Sequence, residues 1–425
     1  MVRKSREFIA RALESVGERL TVKDWIAIGL AVSLGMVFLI TGGAAAGFWP
    51  FQVALLVLAV FLLMYGSDWV IQGASVIGLI FGMTLFAIGV LFVSPGTTFP
   101  ELFTNLTSVS AGVDNIDFAI GNAVGSYTFN TLGIVGCASM IVLWPFFSER
   151  IKIWLKNRRR LGHKRHSKEA EQIEGPAQVD VPPHAATKTW FAMGSIVLLV
   201  LLSWDGMLTW LDGLILIVFF GLWLWYVACD MRREQRGKPA EENEYRHLSK
   251  EQKGKKISGA IFVMIAGFVS LVFGAKFLVS SAASLAKMAG FTDTFIGLTI
   301  VAMGTSAPEF AVSVSAVAKK RYALGIGNII GADILDILMV LGASAIVRTF
   351  ISKAGVPFNT NALIDCAAAF VAMFLLWLSL AVLRPKYKLT WQKGLFLFLP
   401  YVVYVLYLLE RDGSINLLKG LIGPL

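Results

Sequence analysis

Glu101 and Glu309 each lie inside a long apolar stretch, four residues after a threonine (Thr97, Thr305) and three after a second hydroxyl residue (Thr98, Ser306). On a helix that spacing puts hydroxyls and carboxylate on one face. A proline stands immediately before each glutamate. Lacking an N–H, it cannot donate to the carbonyl four residues back, so Gly96 and Gly304 offer free oxygens at the same depth. Two carboxylates, several hydroxyls and loosened carbonyls, without His or Cys, make an all-oxygen donor set. Such a set suits a hard cation, Ca²⁺ or Na⁺, over zinc or copper; Mg²⁺ fits less well because it dehydrates reluctantly. A charged side chain at the centre of a membrane helix costs roughly 2.5 to 3.5 kcal/mol on insertion scales. Hydroxyls bonded to their own helix and a plain proline kink would leave that cost, met twice, unexplained.

A second layer follows each glutamate. Ser126 and Asn130 are four apart, as are Ala332 and Asp336, so each pair faces one way on a helix. Gly121-x-x-x-Gly125 and Gly327-x-x-x-Gly331 are small-residue patterns whose expected role is close helix packing. Asp333 is a further acid three residues before Asp336, and it stands either at the margin of the site or on a water-filled access path.

The elements that carry these residues are membrane spans. Hydrophobic residues make up 56% of the 425-residue chain and charged residues 16%, with a mean hydropathy of +0.70, which excludes a soluble, disordered or disulfide-built protein. The formal net charge of +10 would raise a nucleic-acid partner in a soluble protein, but the basic residues sit in loops between apolar stretches. All four histidines lie in those loops, and Cys137, Cys229 and Cys366 lie in or beside apolar stretches as packing residues. Hydropathy places spans near 24–46, 50–81, 83–110, 116–146, 189–204, 208–229, 257–288, 294–318, 322–349, 360–383 and 390–409. With the N-terminus inside, every basic loop, including 150–168 with its nine Lys or Arg, falls on the cytoplasmic side. That makes a multi-pass protein of the cell (inner) membrane.

The two halves repeat. From Gly66 to Glu101 and from Gly274 to Glu309 they align without a gap at an offset of 208, matching Gly82 with Gly290, Gly96 with Gly304 and Pro100 with Pro308. They realign at Gly121-Asn122 and Gly327-Asn328. Because 50–81 runs inward and 257–288 outward, the repeats are inverted, the architecture of secondary transporters with a midplane site between the halves. The inversion puts Asp68 and Lys276, which hold equivalent positions, at opposite membrane faces, where each is expected to snorkel. The fold expected is an all-α multi-pass membrane protein of two inverted five-helix repeats, ten core helices, plus one extra N-terminal helix. Its divisions are an interfacial amphipathic segment at 1–23, the extra helix at 24–46, a first repeat at 49–230 holding a cytoplasmic loop at 148–188, a linker at 231–256, a second repeat at 257–410 and a tail at 411–425. A cleaved signal peptide is the rival for 24–46, but a 23-residue polar leader is long for an n-region.

At these residues the chain resembles the cation/calcium exchanger superfamily, most closely prokaryotic sodium/calcium exchangers. Gly96-Thr97-Thr98-Phe99-Pro100-Glu101 and Gly304-Thr305-Ser306-Ala307-Pro308-Glu309 are similar to its two G-T-S-x-P-E signatures, and the segments beginning at Gly121 and Gly327 to the G-N-x-x-G-S after each. The resemblance implies Ca²⁺ held by Thr97, Glu101, Thr305 and Glu309. It implies Na⁺ or proton coupling through Thr98, Ser126, Asn130, Ser306 and Asp336, with backbone oxygens at Ser94 and Ala302. Ala332 replaces a family Ser, removing one side-chain sodium ligand, and Ser94-Pro95 replaces small or apolar residues. The implied activity is export of cytoplasmic Ca²⁺ against Na⁺ by alternating access, with no enzymatic activity and no cofactor beyond the transported ions. The expected partners are those ions and the bilayer, with no nucleic acid, and the chain is expected to be monomeric. Proton-coupled exchange of Ca²⁺ or another divalent cation is the alternative. A cation channel using the same acids and an intramembrane enzyme are readings of other classes, and no nucleophile-base pair supports the second.

Overall fold

A computed structural model describes residues 48–111, 116–140, 179–236, 249–290 and 302–411. The expected interfacial segment, extra N-terminal helix and C-terminal tail, and most of the loops at 148–188 and 231–256, lie outside the described residues. The chain runs through α1 (Trp49–Ile80), α2 (85–97), α3 (Phe99–Ala111), α4 (116–140), α5 (Pro183–Leu202), α6 (Trp210–Arg236), α7 (Lys250–Met288), α8 (Ala302–Thr305), α9 (Ala307–Ala318), α10 (Tyr322–Ser352), α11 (Thr360–Val382) and α12 (Trp391–Arg411). Among the described residues eight stretches are long and apolar enough to cross a membrane. They coincide with eight of the expected spans. Two more, 116–146 and 294–318, are described in part as α4 and as α8 with α9.

Local chemistry sets the helix ends. Ser249 and Gln252 form a capping box at the start of α7. Gly82 and Gly290, matched in the repeat, follow α1 and α7 with φ of +71° and +89°, a conformation glycine adopts without a Cβ penalty. The carbonyls freed at the end of α11 are gathered by Lys393, whose Nζ donates to Leu383 O at 2.9 Å, Pro385 O at 2.7 Å and to Ser379 O.

Apolar side chains cover the outside. Val57, Phe61 and Met64 of α1 and Leu214, Val218 and Leu222 of α6 are exposed, whereas Ser94, Thr97, Glu101, Ser306 and Glu309 are buried. That pattern belongs to a protein solvated by lipid. Lipid supplies no hydrophobic force between helices, so association rests on close backbone approach at small residues. A Cβ on Gly66 would lie 2.9 Å from Gly267 O, one on Gly267 2.8 Å from Gly66 O, and one on Gly73 2.5 Å from Ala260 O. These contacts run in opposite directions along the two chains, so the repeat-equivalent helices α1 and α7 pack antiparallel. That is the relation an inverted repeat requires.

Two short strand pairs tie loops together. Val179–Asp180 pairs antiparallel with Lys388–Leu389, both in loops expected inside; Met207–Leu208 pairs with Val356–Pro357, both in loops expected outside. The relative sidedness of these four loops therefore agrees with the charge reading. Asp68 corrects one expectation. Instead of simply snorkelling it pairs with Lys319 Nζ at 2.8 Å, while Lys276 is exposed. Comparing repeat-equivalent positions could not find this partner, because Lys319, the residue that follows α9, is not the repeat equivalent of Asp68. Beside it, Arg321 donates to Ser75 Oγ at 2.8 Å.

Candidate ion-binding site

Both signature helices are broken at the same place. Thr98 separates α2 from α3, and Ser306 separates α8 from α9 with φ −88° and ψ 13°. Pro100 and Pro308, lacking N–H groups, stand at the second positions of the following half-helices. The predicted single face shared by Thr97 and Glu101, or Thr305 and Glu309, is therefore interrupted. The hydroxyls at the breaks cross the molecule instead: Thr98 Oγ1 donates to Glu309 Oε1 at 3.4 Å and Ser306 Oγ to Glu101 Oε1 at 3.2 Å. Each repeat holds the other's glutamate. Glu101 and Glu309 both fall in the first turn of a half-helix, where the N-terminal N–H groups favour negative charge.

The remaining expected residues gather around this clasp. Ser126 Oγ lies 3.1 Å from Ser306 Oγ. Thr97 Oγ1 reaches Asn328 Oδ1 and Ser94 O, both at 3.2 Å. Ser94 O also accepts the Thr98 N–H at 2.9 Å, so this backbone oxygen already has two donors. Thr305 is half-buried at the end of α8, the helix that Ala302 begins. Asn130 and Asp336 occupy wide, π-helical turns at Phe129–Ile134 and Asp336–Val340. Such turns displace a side chain from its α-helical direction and concentrate at functional sites.

The site is rich in acceptors and poor in donors. Among the described residues, Glu101 Oε2, Glu309 Oε2 and both Asp336 carboxylate oxygens are buried without a hydrogen-bond partner. An ionised carboxylate only accepts, and native interiors rarely leave such atoms unmatched, so the arrangement fits a cation. No three acidic, histidine or cysteine side chains converge at metal-ligating distance among the described residues. An ion here would complete its shell with hydroxyl, amide and carbonyl oxygens, as Ca²⁺ and Na⁺ accept.

Several supporting residues escaped the sequence reading. Asn122 Nδ2 donates to Asn105 Oδ1 at 2.9 Å, and Asn328 Nδ2 to Ser313 Oγ at 3.2 Å, repeat-equivalent struts from the second-layer helices to α3 and α9. Their signal was the Asn of each Gly-Asn pair. Thr131 donates to Asp333 Oδ2 at 2.7 Å, so Asp333 lies beside the site. Gly327 and Gly331 serve the expected close packing, against Phe86 and Ser94; a Cβ on Gly121 or Gly125 would meet nothing within 4 Å.

The crossed hydroxyls carry a testable consequence. Ser306→Ala and Thr98→Val each remove one hydrogen bond to a charged ligand, an effect of order 1.5 to 3 kcal/mol. Each should raise the half-saturating Ca²⁺ concentration roughly tenfold or more. Thr107→Ala, whose exposed hydroxyl bonds Phe103 O and Thr104 O, should leave it unchanged. Calcium dependence of tracer uptake measures all three.

The model of the family described as sodium/calcium exchanger protein matches residues 51–228 and 259–410. The inner membrane protein YrbG of Escherichia coli is 27% identical, covering 69% of this chain and 79% of its own. The sodium/calcium exchanger MaX1 of Methanosarcina acetivorans is 25% identical, covering 69% of this chain and 82% of its own. A solved structure of the sodium-calcium exchanger NCX_Mj, 22% identical, superposes with a TM-score of 0.62 over 83% of this chain and 97% of that one, a likeness of fold.

Proposed function

The chain belongs to the sodium/calcium exchanger protein family, and on that premise we propose that it exports Ca²⁺ in exchange for Na⁺ by exposing one buried site alternately to the two sides of the membrane. The observation that carries the reading is the reciprocal clasp, Thr98 on Glu309 and Ser306 on Glu101, with the outer carboxylate oxygens left for an ion. Thr97, Glu101, Thr305 and Glu309 are the proposed Ca²⁺ ligands. Thr98, Ser126, Asn130, Ser306 and Asp336, with backbone oxygens of Ser94 and Ala302, are proposed to serve Na⁺.

Coupling follows from charge. Emptied of cations, the carboxylates would carry net negative charge through a closed, lipid-flanked intermediate, at a cost of several kcal/mol per charge. Ca²⁺ or a set of Na⁺ ions removes that cost, so the site crosses loaded in either direction. Proteoliposomes loaded with Na⁺ should accumulate radiolabelled Ca²⁺ on dilution into Na⁺-free buffer. Uptake driven by a pH gradient and indifferent to Na⁺ would replace this reading with proton-coupled exchange.

Orientation gives a separate test. A reporter fused at Gly175 and one at the C-terminus should lie on opposite faces, the first cytoplasmic. Two cytoplasmic reports would remove one of the eleven proposed spans.

A further inference from the structure

One stripe of α1 is tied to the end of α9 and the short turn that leads into α10. Ser67 Oγ lies 2.7 Å from Ser315 Oγ, and Asp68 Oδ1 lies 2.8 Å from Lys319 Nζ. Arg321 donates to Ser75 Oγ at 2.8 Å and to Ile71 O at 3.4 Å. Beneath these bonds the contact is apolar: Val70, Ile71, Ala74, Val312, Ala316 and Leu324 are buried in one cluster. Along α9 that cluster lies between Glu309 and the turn. A dry apolar constriction excludes ions, so the site is shut in this direction. The basic turn at 319–321 falls on the face that the charge pattern assigns to the cytoplasm.

The other repeat lacks the α1 half of this tie. Ser67, Asp68 and Ser75 correspond to Ala275, Lys276 and Ala283, so both hydroxyls are gone and the charge is reversed. Lys276 is exposed. The apolar layer is missing too. Val312 and Ala316 stand three and seven residues after Glu309, and the same steps after Glu101 reach Thr104 and Ser108. Both are half-buried and bond carbonyls of their own helix. Inverted repeats with equal seals would have no preferred side. Here one seal is apolar and cross-linked while the other is lined with hydroxyls, so the two orientations of the site differ in free energy.

We propose that Ser67, Asp68 and Ser75 of α1, held by Ser315, Lys319 and Arg321, form a one-sided latch that keeps the ion site shut to the cytoplasm, so that the chain rests open to the outside and cytoplasmic Ca²⁺ binds only after the latch parts. The inference rests on the exchanger reading and adds to it a built-in bias of orientation. None of the six residues is an ion ligand. The latch acts on affinity through population alone: the apparent Ca²⁺ affinity at the cytoplasmic face is reduced by the fraction of molecules that are unlatched, and weakening the latch raises that fraction.

The test is Ca²⁺ exchange measured from each face separately, in right-side-out and inside-out membrane vesicles. Asp68→Asn should lower the half-saturating Ca²⁺ concentration at the cytoplasmic face by about two- to fivefold, the reach of a partly exposed ion pair. Asp68→Asn combined with Arg321→Gln should lower it by about tenfold. Neither variant should lower it at the outer face. Lys276→Gln, at the equivalent place in α7, should change neither face. Contacts that only held the fold together would, when lost, weaken Ca²⁺ binding from both faces or from neither. An unchanged or raised cytoplasmic value in the double variant, or a fall of equal size at both faces, overturns the proposal. If wild-type vesicles show no Na⁺-driven Ca²⁺ uptake, the exchanger reading fails instead, and amide hydrogen exchange of the purified full-length chain decides the latch. The double variant should then exchange faster than the wild type at 312–316, which α1 covers, and unchanged exchange there overturns the latch.

Discussion

Changing either Glu101 or Glu309 to Gln should reduce Ca²⁺ exchange to the background of empty vesicles. The two side chains are nearly the same shape, both positions are buried, and each accepts a hydrogen bond from the opposite repeat, which a glutamine oxygen can still accept. What the substitution removes is one of the two formal charges that a divalent ion needs at this point. Folding should not suffer. Glu101 and Glu309 repel each other across the clasp, so taking away one charge relieves a buried repulsion. The melting temperature in detergent should therefore stay level or rise while transport is lost. Exchange at wild-type rates in either variant would remove the glutamates from the site.

The second large effect is on the fold. Gly327→Val should strongly destabilise the protein, because a Cβ at this position would sit 2.3 Å from Phe86 O, and a Cβ on the facing Gly89 would sit 2.3 Å from Leu324 O. These obstacles are backbone atoms, so α2 and α10 must separate before a side chain fits. Overpacking of this kind costs about 1 to 3 kcal/mol where the core can shift, and more where it cannot. Gly121, its counterpart in the first repeat, meets nothing within 4 Å of a Cβ, and Gly121→Ala should leave the detergent melting temperature unchanged or slightly raised. Similar melting of both variants would show that the close contact at Gly327 is not needed.

The contrast between these two glycines shows what could be read before the structure was known. Paired motifs at a fixed offset revealed the inverted repeat and the two glutamates, because an unneeded acid in a membrane is selected against and two in register are not chance. Span positions were legible for the same solvent reason. The crossed clasp was not. It depends on the backbone breaks at Thr98 and Ser306, and local spacing assumes an unbroken helix. The wide turns that carry Asn130 and Asp336 have no spacing signature either, since one extra residue per turn leaves hydropathy unchanged. Equal sequence patterns at Gly121 and Gly327 also concealed unequal packing, because inverted repeats with the same residues need not adopt the same contacts. The Asp68–Lys319 pair was hidden by comparing only equivalent positions.

On the alternating-access reading one buried oxygen cluster serves both ions in turn, so that neither crosses without the return of the other. Radiolabelled Na⁺ uptake into proteoliposomes measures this most directly, with Ca²⁺ either present or absent inside and no other Na⁺ within. Rapid Na⁺ entry is expected only with internal Ca²⁺, in a fixed ratio to Ca²⁺ exit that does not change with the size of either gradient. Sodium entry at the same rate without internal Ca²⁺, in vesicles that remain sealed, would contradict it and point to a conducting pore.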